Sequence, residues 1–189
     1  RPDCTSSEIL DLLDDFSHNY YVAVEYGIES TSDVILRHVN RGHDYATAVQ
    51  AVAATKARNI DVGAHFILGL PYETREEILA QTATINALNL DFVKFHQLQI
   101  YQNTPMAEEW AQHKERFLFA KDFDVDSYVE LMVNIVRRIV PTIAIERFAS
   151  QAPRHLIINS PLGGIRMDAL KNRIVNRLTS LNATQGDLL

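Results

Sequence analysis

The sequence holds one cysteine, Cys4, among 189 residues. No internal disulfide is open to it, which fits a reducing, cytoplasmic setting better than an oxidising one. No apolar run approaches the ~18 residues of a membrane helix. The first residues, RPDCTSSEIL, lack the basic-then-apolar order of a secretion signal. A strong charge of either sign is also missing. The net charge is −6, so no broad attraction to nucleic acid or anionic membrane is expected, although a local basic patch stays open. There is no internal repeat beyond a βα unit and no low-complexity segment. The chain opens on Arg1 rather than Met. RPDC reads as a strand tail entering a loop, and we expect a piece of a longer protein.

What is present is ordinary for a globular domain, with 47% hydrophobic and 22% charged residues. A chain of this length buries roughly 70% of its unfolded surface. SSEILDLLDDFSH, 6–18, has its apolar residues at helical spacing behind a serine N-cap. YYVAVEYGIE, 20–29, VGAHFILGL, 62–70, and DFVKFHQLQIY, 91–101, are rich in β-formers and read as buried strands. Helices are predicted over 32–39, over 44–59 with Asp44 as cap, and over 74–89. In the last, Thr74 and Glu77 have capping-box spacing. A short helix falls near 106–113. Alternating strands and helices predict parallel βαβ units with helices outside the sheet. A long helix, 125–140, a further strand, 142–148, and a terminal helix, 167–181, with one basic face break that rhythm.

In α/β folds, ligands meet the C-terminal ends of parallel strands. Alternation places Glu25, Gly27 and Glu29 on one face of the first strand. It places Gly63, His65, Ile67 and Gly69 together on the second, and Lys94, His96 and Leu98 on the third. If these faces coincide, they form a polar interior with room left by the glycines. Each residue also has a plain structural reading. Glu29 is placed to cap the next helix, Glu25 and Lys94 to form a cross-strand ion pair, and Arg41 to sit on the surface. A strand histidine is more often a satisfied core residue than a ligand.

Taken together and in order, RPDC, YGIES, NRGHD, HFILGLPYET, KFHQLQ followed by TP, IERF and the final NATQG resemble the radical S-adenosylmethionine (SAM) superfamily, in its YhcC-like branch. The resemblance runs over nearly the whole chain. It implies the C-terminal portion of a partial (β/α)6 TIM-like barrel over 1–118, with a family-specific α/β extension over 119–189. It implies SAM as cofactor. Glu29 would contact the ribose or amino-acid portion, and Arg41 the SAM carboxylate. His65 would approach the adenosine, with Phe66, Leu68 and Gly69 lining the adenine side. Glu25, Lys94 and His96 would lie deeper, as substrate or proton-relay groups. Arg1 also stands at a strand end and would face SAM. The family cleaves SAM at a [4Fe–4S] cluster held by three cysteines, giving a 5′-deoxyadenosyl radical. One cysteine cannot ligate it, so the cluster is expected only in a longer parent, with an electron donor, and this chain alone would be inactive. A second departure is the absence of a tryptophan-bearing segment after Pro161. The segment 145–161 is where substrate selectivity is expected; the substrate itself is not readable.

Other readings stay open at this point. Glu29, His65 and His96 could ligate a divalent metal, as in barrel hydrolases or isomerases. A non-enzymatic scaffold could use the basic C-terminal helix to dock a protein or RNA. An unpaired edge on the first strand predicts a homodimer or edge protection.

Overall fold

The structure is a computed structural model that describes residues 1–120, 123–159 and 162–189; Pro161 lies outside the described residues. Four parallel strands form one sheet in sequential order: β1 (Ala23–Glu29), β2 (Asp61–Leu68), β3 (Phe92–Gln97) and β4 (Ala144–Arg147). β1 follows helix α1 (Ser7–Ser17). The crossover to β2 carries α2 (Asp33–His38) and α3 (Tyr45–Lys56). The crossover to β3 carries α4 (Arg75–Ala87), and that to β4 carries α5 (Pro105–Gln112) and α6 (Val125–Val136). The chain then runs into α7 (Met167–Ser180). This is the α/β arrangement expected from the alternating pattern.

The predicted caps set the helix starts. Ser6, Asp44 and Thr74 accept the backbone N–H of Ile9, Thr47 and Glu77. Thr74 and Glu77 complete a reciprocal capping box. The first strand begins later than its composition suggests. Tyr20 and Tyr21 precede β1 and are 69% and 80% exposed. They have β propensity but no neighbouring strand, and propensity without pairing does not make a strand.

The sheet has two unlike faces. Tyr26 and Ile28 of β1, Val62, Ala64, Phe66 and Leu68 of β2, and Val93 and Phe95 of β3 are buried in the main core. Ala48, Val52, Ile78, Ile85, Met132 and Ile135 of α3, α4 and α6 belong to the same core. The opposite face carries Glu25, Gly27, His65, Ile67, Lys94 and His96, none of them fully buried. The 119–189 region adds β4 to this sheet and packs α7 on α6. Two of the basic residues on α7 are held by that packing: Arg173 by Asp126 at 2.9 Å and Arg177 by Glu130 at 2.6 Å.

On the open face, Gly63 does not leave a vacancy. A Cβ built there would stand 2.0 Å from Cε2 of Phe92, because the ring of Phe92 lies over the glycine. Gly63→Ala therefore displaces Phe92 and is expected to cost about 1–3 kcal/mol, the usual penalty of overpacking. Chemical denaturation checks this. Gly63→Ala combined with Phe92→Leu should lose less than the sum of the single changes. Additive losses would show that the two side chains do not compete for that space.

Candidate functional site

The polar face is organised around one carboxylate oxygen. Oε2 of Glu25 accepts from Nε2 of His65 and from Nζ of Lys94, each at 2.5 Å. Lys94 also lies 3.4 Å from Glu146. The strand register explains the convergence, because His65 pairs with both Gly27 and Lys94 across the sheet. Gly27 carries no side chain, so His65 reaches across to Glu25. The Lys94 ammonium, first, and then His65 hold the Glu25 carboxyl below its ordinary value. The His65 ring stacks on that of His96, with centroids 5.2 Å apart. Burial, reinforced by the nearby cationic groups, pushes His96 down to about 4. It is therefore neutral at physiological pH. Its Nε2 is buried without a hydrogen-bond partner among the described residues.

A second group forms at the C-terminal end of β1. Nη2 of Arg41 donates to the carbonyl of Gly27 at 2.7 Å and lies 3.2 Å from Oε1 of Glu29. A Cβ on Gly27 would come within 2.5 Å of that Glu29 oxygen and 2.7 Å of Arg41 Nη2. Only glycine lets the pair close over the strand. Burial raises the Glu29 carboxyl, opposed by Arg41, then His65 and His43. Glu29 also has φ of 72°, in the left-handed region. Among the described residues, five of the seven non-glycine positions with positive φ are Asn; the other two are Glu29 and Tyr72, near the ends of β1 and β2. Such a backbone costs a residue with a Cβ about 1–2 kcal/mol and persists where its surroundings fix it.

The structure brings Glu25, His65, Lys94 and His96 together, and Glu29 with Arg41 beside them. Glu29 does not cap the following helix: the N-cap of α2 is Ser32. Phe66 and Leu68 stand on the buried face of β2, so they offer backbone rather than side chain to the open face. Gly69 lies in the turn after β2, and the room it leaves is filled by the Phe119 ring, 2.4 Å from a built Cβ. Arg1 is paired with Asp3. The three side chains of the metal alternative do not converge. Glu29 is engaged by Arg41 and His65 by Glu25, and His96 only stacks. Among the described residues no group of three His, Cys, Asp or Glu is placed to hold a metal ion. Among the described residues no helix is long and apolar enough to cross a membrane.

Sequence reasoning missed the group that ties the two strand ends together. Glu73 is 3% exposed. Its carboxylate accepts from the N–H of Gly69 at 2.9 Å, the N–H of Leu70 at 3.0 Å and the Gln81 amide at 3.0 Å. The Gln81 oxygen in turn accepts from the N–H and hydroxyl of Thr31. The residues just after Glu29 are thus fixed to the turn after β2. Burial outweighs these donors and pushes Glu73 up to about 7. In the sequence nothing separates it from a solvated acid placed just before the Thr74 cap.

Comparison with known proteins places this geometry. Residues 2–80 match the radical SAM superfamily and residues 90–179 match the Radical_SAM C-terminal domain. The chain is 27% identical over 186 residues to the uncharacterized protein YtqA of Bacillus subtilis, covering 98% of this chain and 56% of that protein. It is 28% identical over 159 residues to protein YhcC of Escherichia coli K12, covering 84% of this chain and 50% of that protein. It therefore spans about half the length of these curated relatives. An archaeal Elp3 structure from Methanocaldococcus infernus superposes with a TM-score of 0.78 at 20% identity, over 98% of this chain and 41% of that one.

Glu73 gives a pH test. Its folded value, about 7, lies above the ordinary 4.5. Its stabilising contribution is therefore complete below pH ~4.5 and is lost as pH rises through ~7. The difference is on the order of 3 kcal/mol. Denaturant titrations across this range should show that decline in the native chain and a flatter profile in Glu73→Gln. Parallel profiles would assign the decline to other groups.

Proposed function

The chain belongs to the radical SAM superfamily, in its YhcC-like branch, and from that premise we propose that the end of β1 and the Arg-Gly-His turn hold S-adenosylmethionine. The observation that carries this is Arg41. Its guanidinium is aimed by the Gly27 carbonyl and Glu29, yet its Nε is buried without a partner among the described residues. A planar cation with a free donor suits a carboxylate, which is the acidic end of the SAM amino acid. Glu29, an acceptor beside it, suits the hydroxyl or ammonium donors of the same ligand. His65, one strand over, would approach the adenosine, with Gly69 and the backbone of Phe66 and Leu68 lining the adenine side.

SAM bound at a reduced [4Fe–4S] cluster supplies one-electron chemistry at its 5′ carbon. Cys4 is exposed and is the one cysteine of this chain. It cannot furnish the three thiolates such a cluster needs. The residues present fit SAM and do not fit the cluster. The cluster would be held by cysteines outside this chain, in the longer protein, which would also need an electron donor.

Glu25, Lys94 and His96 would then serve the substrate side. Glu25 accepts from Lys94 and orients His65. His96 stays neutral, and its Nε2 is free to exchange a hydrogen bond with substrate. Glu25 Oε2 is the shared acceptor of His65 Nε2 and Lys94 Nζ, so a proton that either group gives up would pass to that carboxylate.

Equilibrium binding of S-adenosylhomocysteine to the full-length protein tests the assignment. Arg41→Ala should weaken it by about tenfold to a hundredfold, the loss expected for a hydrogen bond to a charged group. Lys94→Ala should leave it unchanged. Equal affinity in native and Arg41→Ala protein would remove the ligand from this pocket.

A further inference from the structure

We infer that His43 is a further ligand-binding residue, accepting through Nε2 a hydrogen bond from a hydroxyl or ammonium of the molecule that Arg41 holds. This rests on the SAM reading above.

His43 is the last residue of the Arg-Gly-His turn, in which Gly42 has φ of 83°. Its Nδ1 lies 3.2 Å from the carbonyl oxygen of Asp44. A carbonyl oxygen can only accept. Nδ1 therefore carries a proton, and in that tautomer Nε2 is a bare acceptor. That Nε2 is buried and has no partner among the described residues. Leaving such a group unsatisfied is costly, and folded proteins rarely do so.

The surrounding acids do not meet this need. A carboxylate cannot donate to Nε2, and Asp44, Asp3 and Glu29 are each engaged elsewhere. Asp44 accepts from the N–H and hydroxyl of Thr47 as the cap of α3. Asp3 is paired with Arg1. Glu29 is turned to Arg41. His43 follows Arg41 by two residues in the same turn, and Arg41 ties that turn to the end of β1.

Two unpartnered groups of opposite sense thus stand two residues apart. Arg41 Nε is a donor seeking an acceptor, and His43 Nε2 is an acceptor seeking a donor. Neither can satisfy an unpaired group of its own kind. One ligand bearing a carboxylate together with a hydroxyl or ammonium satisfies both. SAM carries both kinds of donor, on its ribose and on its amino acid.

The test measures affinity for S-adenosylhomocysteine and for 5′-methylthioadenosine, which keeps the ribose hydroxyls and lacks the amino acid. The full-length protein is compared with His43→Ala, His43→Gln and Arg41→Ala. His43→Ala should weaken S-adenosylhomocysteine about tenfold. His43→Gln, whose amide oxygen falls near the place of Nε2, should recover most of that. Weakened methylthioadenosine as well would assign the hydroxyl, and unchanged methylthioadenosine would assign the ammonium. Independently, the 15N resonance of His43 Nε2 should move from the free-acceptor position on adding S-adenosylhomocysteine. If Arg41→Ala loses binding while His43→Ala does not and the resonance stays put, the inference is wrong and the SAM reading stands. If neither variant loses affinity, the SAM reading fails and takes the inference with it.

Discussion

The site depends on the two-faced parallel sheet. Alternation sends Val62, Ala64, Phe66 and Leu68 into the core and leaves His65 and Ile67 on the other side. The helix layer sets which face is dry. The in-register pairing of β1, β2 and β3 then brings Glu25, His65 and Lys94 within reach of one another. A single slip of β2 would turn His65 into the core and Phe66 out. The buried aromatic side chains prevent that slip more strongly than the polar contacts could. Their burial contributes ~1.5–3 kcal/mol per large side chain, whereas a partly exposed ion pair contributes ~1 kcal/mol or less.

The strand ends are fixed by a different kind of interaction. Glu29 keeps a left-handed backbone because both sides of it are held. Arg41 reaches back to Gly27 before it, and Gln81 takes Thr31 after it. Gln81 leads to Glu73, and Glu73 to the turn at Gly69. The ends of β1 and β2 are therefore one hydrogen-bonded unit, a rigid setting for the Glu29–Arg41 pair.

The fold was largely legible because its signals are local. Ser6, Asp44 and the Thr74–Glu77 box act over three residues, and the helices begin where they say. Strand pairing is not local. Tyr20 and Tyr21 look like strand and are not, because no neighbour pairs with them. Within the site, phase alone placed Glu25, His65, Lys94 and His96 on one face. It could not say that His65 would turn toward Glu25 rather than Glu29, which is what removes the metal arrangement. Nor could it say that Phe92 would cover Gly63 and Phe119 would cover Gly69. Glu73 and His43 were hidden for a simpler reason. Their importance lies in what is buried around them, and sequence spacing carries no record of that.

The central claim is that Glu29 and Arg41 hold SAM in a radical SAM protein. The most direct measurement is 5′-deoxyadenosine formation by the full-length protein, reconstituted with iron and sulfide without oxygen and supplied with SAM and a strong reductant. The account predicts product from the native protein and at least a tenfold loss in both Glu29→Ala and Arg41→Ala. No product from protein carrying its full iron, or product undiminished in both variants, would contradict it.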